Sequence, residues 1–185
     1  MDMGMEIERK FLLAEDPQAL IDAEELTVQS EQRIEQTYLA MDDNEELRVR
    51  RIADLATGEI SYTHTFKRGN GLVREEVEHA ISESIYQQIM AAFGFTPLTK
   101  NRITADWNGR IVEIDIYDQI KLSVLEVEFA SIEEANSFQA PDWFGEDISS
   151  QKQYSNKTVW KQLQGEKWQQ KQDAINGPDK SAAKV

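Results

Sequence analysis

The chain has 185 residues, with 34 Asp and Glu against 20 Lys and Arg, a formal net charge of -14 and no cysteine. That length suits one domain with its own core, and the missing thiols exclude a disulfide scaffold, a thiolate zinc centre and a cysteine nucleophile. The acidity argues against a nucleic-acid or anionic-membrane partner; the lack of a bilayer-length apolar run and of a signal-peptide layout predicts a cytoplasmic protein.

The first strand runs through Glu6-Ile7-Glu8-Arg9-Lys10, where period-two alternation puts Glu6, Glu8 and Lys10 on one face and Ile7, Arg9 and Phe11 on the other. Two carboxylates and an ammonium in line invite a metal ion or a phosphate; a solvated edge strand is the alternative. The polar stretch from Asp16 to Gln29, with Pro17 suited to a first helical turn, reads as a short helix or loop. Arg33 to Ala40 puts Gln36 and Tyr38 in phase with Ile34. From Glu46 to Ile52, the residues Leu47, Val49 and Arg51 oppose Arg48, Arg50 and Ile52. After a turn at Ala53 to Glu59, Ile60 to Lys67 returns with Thr63, Thr65 and Lys67 in phase.

Gly69-Asn70-Gly71 is the strongest turn signal and leads into Val73 to Ala80, where Arg74, Glu76 and Glu78 share a face. Ser82 has the character of a helix N-cap; Ile85, Ile89 and Phe93 follow at helical spacing until Gly94 stops the run. Pro97 opens a strand with Lys100, Arg102 and Thr104 opposite Ile103, Ala105 and Trp107. Asn108-Gly109 turns the chain into Arg110 to Tyr117, where Glu113 and Asp115 oppose Val112, Ile114 and Ile116. Lys121 to Phe129 sets Glu126 and Glu128 against Leu125, Val127 and Phe129. A short helix follows Ser131 and ends near Pro141, and another spans Ser155 to Gln164. Residues 1–164 make one domain, and residues 165–185 read as a flexible C-terminal tail.

About eight short strands joined mostly by turns predict an antiparallel sheet that closes into a barrel, with helices outside, in the α+β class. A sandwich with its charged faces in solvent is the alternative. Arg48, Arg50, Arg74 and Arg102 beside paired Glu favour the barrel, because forked guanidinium groups suit phosphate and solubility alone does not require such stripes. Its lumen would hold Glu6, Glu8, Glu76, Glu78, Glu113, Asp115, Glu126 and Glu128 with Lys10, Arg48, Arg50, Lys67, Arg74, Lys100 and Arg102. So many buried charges demand water and ions, so the expected contents are a polyphosphate and hard divalent cations. Oxygen-only ligands select Mg²⁺, Mn²⁺ or Ca²⁺, and His64 and His79, out of phase with the stripes, read as structural or surface residues.

The ordered series Glu6-x-Glu8-x-Lys10, Arg48-x-Arg50, Lys67, Arg74-x-Glu76-x-Glu78, Lys100-x-Arg102, Glu113-x-Asp115 and Glu126-x-Glu128 resembles the CYTH, or triphosphate tunnel metalloenzyme, superfamily over Met5 to Leu163. Gln36-x-Tyr38 and Tyr154-Ser155-Asn156 look most like its small bacterial members, the inorganic triphosphatases. The resemblance implies a closed eight-stranded tunnel that hydrolyses tripolyphosphate to pyrophosphate and phosphate with Mg²⁺ or Mn²⁺. It implies that Lys10, Arg48, Arg50, Lys67, Arg74, Lys100 and Arg102 grip the triphosphate. Glu6, Glu8, Asp115, Glu126 and Glu128 would hold the metals, supported by Glu76, Glu78 and Glu113. Tyr38, its pKa lowered by pairing with Lys10, would orient or deprotonate water, with Lys100 as a competing catalytic group. Thr37 departs from the family pattern, where many relatives have Gly, and the stretch past Gly165 matches nothing in it.

Alternatives within the same superfamily are an adenylate cyclase and a hydrolase of nucleotides or thiamine triphosphate. A polyphosphate-binding module without turnover is the alternative from another class. The expected partner is a small polyanion, with no nucleic acid and no membrane, and the oligomeric state is left open, a homodimer included.

Overall fold

In a computed structural model that describes residues 2–177, the alternating stretches form eight strands. These are β1 (Asp2–Leu12), β2 (Thr27–Met41), β3 (Glu45–Asp54), β4 (Ile60–Arg68), β5 (Val73–Ala80), β6 (Leu98–Trp107), β7 (Arg110–Tyr117) and β8 (Ser123–Glu128). They close into an antiparallel barrel in the order β1-β5-β4-β3-β2-β6-β7-β8, the closed architecture the alternation predicts. Outside it lie α1 (Pro17–Asp22), α2 (Glu83–Phe93), α3 (Ile132–Ser137), α4 (Asn156–Gln164) and α5 (Glu166–Asn176).

Local chemistry sets the boundaries. The Ser82 side chain accepts from the Ile85 N–H to start α2, and Gly94 in the left-handed region ends it. Asn108 and Gly109, both at positive φ (52° and 79°), make the two-residue turn that leaves Trp107 opposite Arg110. β1 closes the barrel by changing partner midway: Asp2 to Ile7 lie opposite β5, and Glu8 to Leu12 opposite β8. Beyond the switch, residues 146–148 cover its other edge. There Leu12 N–H donates to the Glu146 carbonyl and Ile148 N–H to the Lys10 carbonyl, each at 2.8 Å. Gly145 permits this approach, since a Cβ there would collide with the Leu12 carbonyl.

The aliphatic faces point outward and are covered in part, with Met5 and Ile60 left exposed. Phe11, Ile103, Ile114, Leu125 and Val127 pack under Leu20 of α1, Ala135 of α3 and Phe144. A second cluster plugs one end of the barrel, where Tyr38, Leu98, Tyr117 and Val124 meet Phe95 and Val159 and Trp160 of α4. The buried Trp160 ring lies 5.5 Å from Tyr38, 5.0 Å from Phe95 and 5.4 Å from Trp168.

Two expectations are corrected. β2 begins at Thr27, well before the expected Arg33, because it must reach along both β3 and β6. The expected flexible tail from residue 165 is instead the helix α5 over Glu166–Asn176, held by Trp168 against Trp160 and Phe95. A single tryptophan in a polar stretch supplies the apolar contact that composition hides. Residues 178–185 of that stretch lie outside the described residues.

Candidate active site

Residues opposite one another on neighbouring strands point to the same side of a sheet, so register decides which stripes meet inside the barrel. Glu8 lies opposite Glu128 and Lys10 opposite Glu126. Lys67 lies between Glu46 and Glu76, and Arg102 opposite Asp115. The stripes enclose a cavity of about 620 Å³, within the range of small-ligand sites. Glu6, Glu8, Lys10, Tyr38, Arg48, Arg50, Lys67, Arg74, Glu76, Lys100, Arg102, Glu113, Glu126 and Glu128 line it, whereas Glu78 and Asp115 only hold residues that do. His64 and His79 pair across β4 and β5 on the opposite phase.

Most of these charges are matched within the protein. The buried Asp115 accepts from Lys100 Nζ at 2.5 Å and from Arg102 Nε and Nη2 at 2.7 and 2.8 Å. Burial works to raise the Asp115 pKa, but Arg102 and Lys100 hold it well below the usual carboxylate range. Lys100, 1% exposed, is pushed down to about 8 by burial, against the pull of Asp115. Lys67 sits 2.7 Å from Glu6 and 2.6 Å from Glu76, and Lys10 3.2 Å from Glu126. Against burial, Lys67 brings Glu76 down to about 2, as Lys10 does for Glu126. Arg74 reaches Glu46 at 3.1 Å, and Arg50 binds Glu78, which also accepts from Thr65 Oγ1 at 2.7 Å.

Glu8 and Glu128 differ. Among the described residues neither has a cation within ion-pair distance, unlike Glu6 and Glu126 beside them. Burial, and then repulsion from Glu126, push Glu8 up from 4.5 to about 8. Such a carboxylate is relieved by a hard cation, and an all-oxygen donor set fits that class of ion. On the cationic side, Arg48, Arg50 and Arg74 each keep a buried Nε–H without a hydrogen-bond partner. An unsatisfied buried donor costs about 1–3 kcal/mol, a cost that an anion in the cavity removes. The arrangement is therefore suited to a polyanion lying between guanidinium groups and a carboxylate-held divalent cation.

Two expected site residues have contacts that the strand pattern does not show. Tyr38 is not paired with Lys10, whose ammonium faces Glu126; its hydroxyl accepts from Gln36 Nε2 at 3.4 Å and its ring packs on Trp160. Burial, reinforced by Glu46, raises the phenol's pKa rather than lowering it, so Tyr38 stays protonated. Asp115, expected among the metal ligands, has both oxygens committed to Lys100 and Arg102, because register places it opposite Arg102. Glu46, Lys152, Lys157 and Lys161 also line the cavity and escaped the sequence reading. Glu46 shares the phase of Arg48 and was open to discovery by alternation. The lysines sit on α4 and the turn before it, whose docking over the barrel end leaves no mark in a strand pattern.

The family model for the CYTH domain matches residues 4–162. The inorganic triphosphatase of Nitrosomonas europaea is 32% identical over 158 residues, covering 83% of this chain and 95% of that protein. A solved structure of the inorganic triphosphatase NE1496 superposes with a TM-score of 0.58 at 29% identity, covering 86% of this chain and 96% of that one. The Pyrococcus horikoshii protein PH1819 shares the fold, with a TM-score of 0.52 at 18% identity over 71% of this chain and 82% of its own.

Proposed function

Because the chain belongs to the CYTH domain family, we propose that it is an inorganic triphosphatase, hydrolysing tripolyphosphate to pyrophosphate and phosphate inside the tunnel with Mg²⁺ or Mn²⁺. The observation that carries this reading is the division of the lumen. Unpartnered guanidinium donors of Arg48, Arg50 and Arg74 stand in the same cavity as the carboxylates of Glu8 and Glu128, which lack a partner among the described residues. Both halves are satisfied by a phosphate chain carrying a divalent cation. The similarity to a curated inorganic triphosphatase over most of both chains supports the same substrate.

In this reading Arg48, Arg50 and Arg74 bind the phosphate oxygens, and Lys10, Lys67, Lys100 and Arg102 exchange part of their internal ion pairs for the substrate. Glu8 and Glu128 would hold the cation, with Glu6 and Glu126 at hand. Among the described residues no three acids or histidines are gathered closely enough to cage an ion alone. This fits Mg²⁺ or Mn²⁺, which bind through one or two carboxylates and complete their shell with substrate oxygens and water. The bound cation would supply neutralisation of the charge that develops on the transferred phosphoryl group. Asp115 acts by fixing Lys100 and Arg102 rather than as a ligand. Tyr38, protonated, can donate a hydrogen bond to a phosphate or orient water, but does not remove its proton. Positioning and charge stabilisation carry most of the rate, and Lys100, with its pKa pushed down to about 8, is the group placed to move a proton.

Among the described residues no helix is long and apolar enough to cross a membrane, and the cysteine-free composition supports a cytoplasmic setting. The test is phosphate release from tripolyphosphate in Mg²⁺ and Mn²⁺, run beside ATP with products separated. Rapid release from tripolyphosphate and little from ATP is the expected result. Cyclic AMP with pyrophosphate, or binding without turnover, would overturn it.

A further inference from the structure

We infer that Gln36 is a positioning residue for Tyr38: its carboxamide donates to the phenol oxygen, so that the Tyr38 proton is turned into the cavity to meet a phosphate oxygen or the attacking water. This deepens the triphosphatase reading and rests on it.

Gln36 is a polar residue in an apolar position. It lies in the middle of β2, 0% exposed, opposite Arg50 of β3 and Leu98 of β6, with Ile34 before it on the same face. It does not line the cavity, whereas Tyr38, two residues further on, does. Its Oε1 is buried without a hydrogen-bond partner among the described residues, and its Nε2 meets the Tyr38 hydroxyl at 3.4 Å. An aliphatic side chain of the same volume would be more favourable there, because nothing replaces the water that the carboxamide oxygen has lost. Neither core packing nor contact with a ligand accounts for a glutamine at this place. Its contact with Tyr38 does.

That contact decides where the phenol proton points. A tyrosine hydroxyl accepts hydrogen bonds through its oxygen and donates one. Gln36 Nε2 is one donor, and Arg48, directly opposite Tyr38 on β3, brings its guanidinium to the same oxygen. With the oxygen engaged by two N–H groups, the phenol hydrogen is left for the cavity that Tyr38 lines. The reverse orientation, Tyr38 donating to Gln36 Oε1, would consume that hydrogen and strand the two N–H groups of the carboxamide. It would do so opposite Arg50, whose own buried Nε–H already lacks an acceptor. The 3.4 Å separation is long, as hydrogen bonds of catalytic groups often are before substrate draws them tight. Trp160, packed on the Tyr38 ring, holds the phenol in this place.

The test is a double-mutant cycle on tripolyphosphate hydrolysis with Gln36→Met, Tyr38→Phe and the two combined. Gln36→Leu repeats the first arm should the methionine not be accommodated. Tyr38→Phe should lower kcat about 100-fold. Gln36→Met should lower kcat about tenfold with KM within about twofold. The combined variant should be no slower than Tyr38→Phe, where independent effects would multiply to about 1000-fold. Far-ultraviolet circular dichroism and the urea midpoint separate positioning from scaffolding: the midpoint of Gln36→Met should be unchanged or raised, since a stranded buried oxygen is removed. Wild-type kcat in either single variant, multiplying losses in the cycle, or a kcat loss that follows a lowered midpoint overturns the inference alone. A wild-type protein that does not cleave tripolyphosphate overturns the triphosphatase reading and the inference with it.

Discussion

Asp115 and Glu8 are carboxylates of the same barrel in opposite states. Asp115 lies opposite Arg102, is fully buried and is held ionised by two cations; Glu8 lies opposite Glu128 and is pushed up to about 8. The side chains are chemically alike, so register, not residue type, decides which acid stabilises the wall and which is left for a ligand. Charge pairing makes the barrel stand up with a polar interior, and the lapses in that pairing are where a bound ion would relieve most strain.

The largest expected effect breaks the locked half. Asp115→Asn strands Lys100 in the interior and leaves Arg102 with Glu113 and Glu126 alone, and should cost about 3–5 kcal/mol of folding stability, measured by urea denaturation. A loss below about 1 kcal/mol would mean that the three groups are not locked together. On the open half, Arg50→Ala should lower kcat/KM on tripolyphosphate about 100-fold or more, and unchanged kinetics would remove Arg50 from the site.

A smaller effect comes from the Glu8 proton. Its pKa rises from 4.5 unfolded to about 8 folded, so between these values the native state binds the extra proton. Stability without divalent cation should therefore fall as pH rises through this window, with no such burden below 4.5. Thermal denaturation between pH 5 and pH 9 with and without Mg²⁺ checks the sign: added cation should remove much of the decline, and a rise with pH would contradict the picture. The smallest effect sharpens the boundary of the site. His64→Ala, outside the lumen on β4, should leave turnover within about twofold, and a tenfold loss would mean that the outer face takes part.

The sequence exposed the charged stripes and the closed barrel because alternation is a property of single strands, readable at Glu6-x-Glu8-x-Lys10 or Lys100-x-Arg102 without knowing the partners. It did not expose what depends on distant pairing. Tyr38 has the right phase for the lumen, but its raised pKa follows from burial under Trp160, a residue of α4. Asp115 and Glu8 look equivalent until β7 is placed beside β6 and β1 beside β8. The helix α5 was hidden by its Lys, Gln and Asp, because one residue, Trp168, supplies its anchor.

The most direct measurement of the divided lumen is an equilibrium titration of Mn²⁺, read by electron paramagnetic resonance of the free ion, for the wild-type protein and Glu8→Gln in the presence of pyrophosphate. If Glu8 is the open carboxylate, the variant should bind Mn²⁺ at least about tenfold more weakly, a difference of about 1.4 kcal/mol, while its urea midpoint without metal is unchanged or raised. Equal Mn²⁺ affinity in the two proteins would contradict the assignment and return the search for the cation site to the locked acids.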